Sequence, residues 1–84
     1  MIPVSDYIAY AATSAAGAFN ALAFLAIDLE ELSDSQALSK NQRRTLRHSY
    51  TTVCTMATYT DKIYSDLNAL REGVAWEEEE EGEN

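Results

Sequence analysis

The chain has little of the chemistry that enzymes and metal proteins commonly use. Its 84 residues include one cysteine, one histidine, one proline and three glycines. A single cysteine cannot form a disulfide within the chain, which is typical of a reducing compartment, so we expect a cytoplasmic protein. Because there are no paired cysteines, no Glu-x-x-His motif and no glycine-rich phosphate loop, the sequence predicts no metal, no cofactor and no enzymatic activity.

Basic residues are also scarce, with 6 Lys and Arg against 14 Asp and Glu and a net charge of −8. Six of the glutamates lie within residues 77–84, which contain no basic residue. A block of like charge is usually solvated, so the sequence predicts a disordered acidic tail at 77–84 after a helical body at 1–76. This charge argues against direct binding to nucleic acid or to anionic lipid.

The longest segment without a charge is Tyr7–Ile27, and nine of its 21 residues are alanine. Its length is close to the ~20 residues that cross a bilayer. However, Thr13 and Asn20 belong to a polar stripe along the segment, and neither flank carries the Lys or Arg that would set an orientation. The pattern therefore favours a helix in a protein core, and a membrane-inserted or structural virion component is an alternative.

Apolar residues recur at alternating spacings of three and four along this segment, which is the pattern of a helix-packing seam. A second apolar series runs beside the seam at intervals of seven and widens the apolar face. The seam is Ile8, Ala12, Ala15, Phe19, Leu22, Ala26 and Leu29, and the second series is Ala11, Ala18, Leu25 and Leu32.

Capping signals divide the chain into two helices. Ser5 is the predicted N-cap of the first helix, and Ser39 with Gln42 matches a capping box at the start of the second. Gly73 is a natural residue to follow the last helical turn. The predicted elements are helix one at about 5–32, a connection at 33–39 and helix two at about 40–72.

The second helix has a weaker pattern, because five threonines lower helix propensity in its middle. A strand over Ser49–Thr60 is the competing interpretation, but its alternate residues would make a poor core face. Helical spacing fits better, and it predicts a seam of Leu46, Ser49, Val53, Met56, Thr60, Ile63, Leu67 and Leu70.

The short connection predicts an all-α fold, an antiparallel two-helix hairpin. Two helices cannot cover an apolar face this wide, so we expect a homodimer that forms a four-helix bundle. A monomer capped by the connection and by Trp76 is the alternative. The predicted oligomer interface is Ile8, Ala12, Ala15, Phe19, Leu22, Ala26, Leu29, Val53, Met56, Ile63 and Leu67.

Four of the six basic residues lie near the start of the second helix, close to the acidic end of the first. One interpretation is mutual ion pairing across the connection, and a second is an anion or nucleotide site. A third is contact with Glu77–Glu81 of another subunit, which an antiparallel pairing could place there. Tyr59 is offset from the seam, and an exposed tyrosine there would suit a partner contact. The candidate anion or partner contacts are Arg43, Arg44, Arg47 and Tyr59.

The acidic run suggests a decoy that occupies a nucleic-acid-binding surface of another protein. The candidate residues are Glu77, Glu78, Glu79, Glu80 and Glu81. In size, charge and helical character the chain resembles small acidic inhibitors of host defence encoded by phages, and it carries no family motif. That resemblance implies a stoichiometric blocker of a nuclease or effector complex. We therefore expect a self-associating protein that binds another protein, with an anion-binding helical oligomer as the alternative function.

Overall fold

The computed structural model describes the backbone of residues 2–83 and the side chains of residues 2–80. It contains two helices, α1 at Val4–Ser33 and α2 at Lys40–Glu83, and no strand within these residues. The helices pack against each other as an antiparallel hairpin that measures 68 × 17 × 13 Å. The all-α hairpin predicted from the sequence is confirmed, and residues 49–60 are helical rather than extended.

The N-cap of the first helix lies two residues before the predicted one. Pro3 occupies the N-cap position, and its carbonyl accepts a hydrogen bond from the Asp6 amide at 3.0 Å. Ser5 is instead a buried residue of the first turn, so its prediction as the N-cap is wrong. Proline suits this position because it fixes φ and has no amide hydrogen to satisfy.

The connection and the start of α2 follow the sequence signals closely. The Ser39 amide donates to Gln42 Oε1 at 2.8 Å, and the Gln42 amide donates to Ser39 Oγ at 3.1 Å. This reciprocal pair confirms the predicted capping box. The connection itself, residues 34–39, contains only turns.

The threonine-rich part of α2 is helical, and its hydroxyls bond within the helix. Thr51 donates to the Arg47 carbonyl at 3.1 Å, and Thr60 donates to the Met56 carbonyl at 2.8 Å. The same i−4 bond is made by Thr45, Thr52, Thr55 and Thr58. These bonds satisfy the hydroxyl groups without any need for a strand.

The second helix does not end at Glu72. It continues through Gly73 to Glu83, so the structure extends the helix over residues that the sequence assigned to a disordered tail. A glycine inside a helix costs only about 1 kcal/mol relative to alanine, and the glutamates that follow are good helix formers. Contact between Glu78 and the first turn of α1 also favours the helical form. Asn84 lies outside the described residues.

The seam predicted for α1 is confirmed, since each of its residues is buried or half-buried in the hairpin. On α2 the prediction is correct in part. Val53 is buried and Leu67 is half-buried, but Met56, Ile63 and Leu70 are 49–53% exposed. The α2 residues that are covered against α1 include Leu46, Tyr50, Val53, Ala57, Thr60, Leu67 and Val74. The helix is thus turned so that Ala57 and Thr60, which are small, approach the alanine-rich α1.

The resulting core is small. Ala12 and Val53 are the only apolar residues that are buried among the described side chains. Trp76 is 62% exposed, so it does not cap the hairpin as the monomeric alternative required. Two helices with this little buried apolar surface are expected to have low stability on their own.

Candidate binding surfaces

One long side of the hairpin presents large apolar side chains to solvent. Those on each helix are separated by multiples of seven residues, so each helix contributes one row. We call this surface the apolar flank, and it consists of Val4, Leu25, Leu32, Met56, Ile63 and Leu70. These residues are 44–60% exposed, and the small residues Ala11 and Ala18 complete the row on α1.

The opposite side is lined by small residues and is more closed. Ala9, Ala16 and Ala23 from α1 and Ala75 from α2 are half-buried there. Ala9 and Ala75 line one shallow groove of about 430 Å³, which places them on the same side of the hairpin. Because alanine lets the helices approach closely, the hairpin is tighter on this side and more open along the apolar flank.

A carboxylate joins the two ends of the chain. Glu78 accepts a hydrogen bond from Ser5 Oγ at 2.7 Å and another from the Ser5 amide at 3.2 Å. The amides of a first helical turn lack partners within the helix, and a negative charge there is favourable to the helix dipole. Glu78 therefore serves as a capping group for α1 that is supplied by the other helix.

Arg71 lies two turns before that carboxylate on α2. Its side chain lines the groove on the alanine side, with Asp6, Glu72 and Glu79. Its Nε is buried and has no hydrogen-bond partner. The groove is acidic apart from this guanidinium, so it does not resemble an anion site.

The basic residues near the start of α2 make few contacts. Arg47 lies 3.9 Å from Asp34, and both side chains are largely exposed. Arg43 donates to Gln36 Oε1 at 3.2 Å. The structure thus shows one weak ion pair of the predicted kind in the described part of the chain, between Arg47 and Asp34. The anion site predicted at Arg43, Arg44 and Arg47 stays a prediction.

Cys54 is half-buried beside Tyr50, one turn earlier on the same helix. A hydrogen bond with the Cys54 side chain raises the pKa of the Tyr50 hydroxyl, and the charges of Cys54 and Glu30 raise it further. Both charges act in this direction because they disfavour a second negative charge nearby.

The remaining predicted sites fall in different parts of the hairpin. Tyr59 is 65% exposed next to the apolar flank, as expected for a partner contact. Of the predicted interface residues, those on α1 together with Val53 and Leu67 are used within the hairpin, whereas Met56 and Ile63 remain exposed. Among the acidic residues, Glu77, Glu79 and Glu80 are exposed and Glu78 is engaged with Ser5. The side chain of Glu81 lies outside the described residues. A decoy role for this run stays a prediction.

Sequence reasoning missed part of the apolar flank as a free surface. Leu25 and Leu32 belong to the second apolar series on α1, which was interpreted as a widening of the seam. Leu70 was placed in the seam of α2. The signal was present in the intervals of seven, but it does not specify which row faces the partner helix and which row is left open.

Metal binding and membrane insertion also bear on function. Among the described residues, no group of three His, Cys, Asp or Glu side chains is placed to hold a metal ion. By length and composition α1 could cross a membrane, and only 6% of its most apolar window is buried within the hairpin. No protein-family model, no curated protein and no solved structure matches this chain.

Proposed function

We propose that this chain is a non-enzymatic, self-associating helical protein that acts by binding other macromolecules. In its assembled form, two hairpins pack through their apolar flanks into a four-helix bundle. The observation that carries the proposal is the row of six large apolar side chains, each 44–60% exposed on one side of a hairpin with almost no buried core.

The size of this surface supports an interface. With about half of each side chain exposed, the six residues present on the order of 500 Å² of apolar area, which reaches the upper range for a patch on a monomer. A stable interface of standard size buries about 800 Å² on each partner. The apolar flank with its polar rim is therefore large enough for a specific protein contact.

The architecture supports the same proposal. A stable domain generally needs two packed layers around a shared core, and the hairpin is a single layer of two helices. A second hairpin laid on the apolar flank supplies the missing layer and gives the common four-helix arrangement. The exposed residues of the flank then become core residues.

The mass of the native protein in solution tests the proposal. We expect light scattering to give twice the chain mass of 9.3 kDa at micromolar concentration. Because unfolding of the dimer also separates its two chains, a higher protein concentration favours the folded dimer by mass action. We therefore also expect the melting temperature to rise with protein concentration. A mass of 9.3 kDa up to millimolar concentration, with a constant melting temperature, would contradict self-association.

Membrane association is a second candidate, favoured by the length and apolar composition of α1. In this case the hairpin opens and Phe24, which is 69% exposed, enters the bilayer with its neighbours. Flotation of the protein with neutral phosphatidylcholine vesicles tests the candidate. Recovery of the protein with the vesicles would support it, and recovery in the aqueous fraction would exclude it.

A further inference from the structure

We infer that the second copy lies on the apolar flank in the opposite direction, with the turn of each hairpin beside the open end of the other. The turn end is the end that carries residues 34–39, and the open end carries Val4 and Glu83. This inference rests on the proposed self-association and specifies its geometry. It also assigns a role to the two charged ends of α2.

A two-fold interface through one flank has two possible forms, because each subunit uses the same surface. In the first form the two turn ends lie together, and α2 of one hairpin lies on α1 of the other. In the second form the turn ends are at opposite ends of the bundle, and α2 lies on α2. Both forms cover the same apolar side chains, so packing alone does not distinguish them.

The distribution of charge along α2 favours the second form. Its first eight residues, 40–47, contain Lys40, Arg43, Arg44 and Arg47 and no acidic residue. Its last seven, 77–83, contain six glutamates and no basic residue. With the turn ends together, the basic start of each α2 lies on the acidic end of the other α1, but the glutamates of both copies gather at the open end and repel each other. With opposite directions, each acidic end lies beside a basic start, and the charges attract.

Residue spacing gives the register of the opposed helices. Met56 and Leu70 are each seven residues from Ile63, and Arg47 and Glu79 are each sixteen residues from it. A two-fold axis at Ile63 therefore brings Leu70 level with Met56 of the partner subunit. Arg47 and Glu79 reach the same height on this axis, but both lie about 160° around α2 from Ile63 and away from the flank, so the apolar contacts alone set the register.

Cysteine cross-linking gives the decisive test, in full-length protein in which Cys54→Ala removes the native thiol. A disulfide needs Cα atoms within about 7 Å. With diamide as oxidant, we expect Ile63→Cys to link to itself across the dimer. The double variant Met56→Cys/Leu70→Cys should link position 56 to position 70 between chains. The single variants Met56→Cys and Leu70→Cys serve as matched controls that should not cross-link.

The outcomes separate this inference from the proposed function. Light scattering under reducing conditions first establishes that each variant is dimeric, and circular dichroism establishes that it is helical. Dimers that form neither the 63–63 nor the 56–70 cross-link would overturn the opposed direction while leaving self-association in place. A monomeric mass for the unsubstituted protein would overturn both.

Discussion

Ser5 and Glu78 are 73 positions apart in the chain, and their side chains are hydrogen bonded at 2.7 Å. The same carboxylate accepts the Ser5 amide, so one side chain of α2 satisfies two donors of the first turn of α1. This contact fixes the register of the hairpin at its open end. At the other end, the register is marked by Arg47 and Asp34, at 3.9 Å.

Removal of the Glu78 carboxylate should destabilise the hairpin. We expect Glu78→Ala to lower the free energy of unfolding by about 1–2 kcal/mol, since the variant leaves two donors without their charged acceptor. Urea denaturation followed by circular dichroism measures the change.

Glu77→Ala is the matched control, because Glu77 is exposed on the neighbouring position of the same helix. It removes the same charge without removing the contact, so its effect should stay within about 0.5 kcal/mol. Equal effects of the two substitutions would show that Glu78 acts only through net charge.

Gly73 tests whether α2 continues to Glu83. In the structure its φ is not positive, and an added Cβ would have no atom within 4 Å. We therefore expect Gly73→Ala to stabilise the protein by about 0.5–1 kcal/mol, as alanine does in a helix interior. Gly17→Ala, in the middle of α1 and equally unobstructed, is the positive control. A loss of stability with Gly73→Ala alone would indicate a helix that ends at Glu72 with a left-handed glycine.

The Arg47–Asp34 ion pair should contribute little. Its atoms are 3.9 Å apart and its side chains are 63% and 75% exposed. We expect Arg47→Ala to change the free energy of unfolding of the monomeric hairpin by less than about 0.5 kcal/mol. Thermal denaturation in a background in which Ile63→Glu prevents association measures this. A decrease in the free energy of unfolding of more than about 1 kcal/mol would show that the basic start of α2 makes stronger contacts than the structure indicates.

Tyr50 should ionise above the usual tyrosine range, because the Cys54 hydrogen bond and the nearby charges raise its pKa. A raised folded pKa favours the protonated hydroxyl, so its contribution to stability is complete below the unfolded value and is lost as the pH rises through the folded value. Tyrosinate absorbance during an alkaline titration measures this. Tyr50→Phe should remove absorbance that develops above the usual range, and Tyr59→Phe, at an exposed position, should leave that absorbance in place. A titration in which Tyr50→Phe leaves it unchanged would contradict the assignment.

The sequence alone was sufficient to predict α1, its seam and the start of α2, because each depends on a local sequence pattern. The intervals of three and four from Ile8 to Leu29 specify one helix face, and Ser39 with Gln42 specifies a cap. The phase of α2 was not predictable in the same way, since Met56 and Ile63 fit a helical face as well as Tyr50 and Ala57 do. The choice depends on how closely the alanines of α1 allow the helices to approach.

The prediction of where α2 ends was wrong for a related reason. Gly73 followed by a run of glutamates has the composition of a helix end and a solvated tail. What extends the helix is a contact with Ser5, which lies at the far end of the sequence. No local sequence pattern indicates such a contact. The candidate surfaces depend on the same pairing of helices, so they could be located only in the folded hairpin.

The mass of an Ile63→Glu variant tests most directly whether the apolar flank is the surface that a second copy covers. Ala69→Glu is the control, since it adds the same charge at an exposed position of the same helix. In light scattering we expect Ile63→Glu to have the chain mass of 9.3 kDa and Ala69→Glu to have twice that mass. A helical Ile63→Glu protein that remains a dimer would contradict the account.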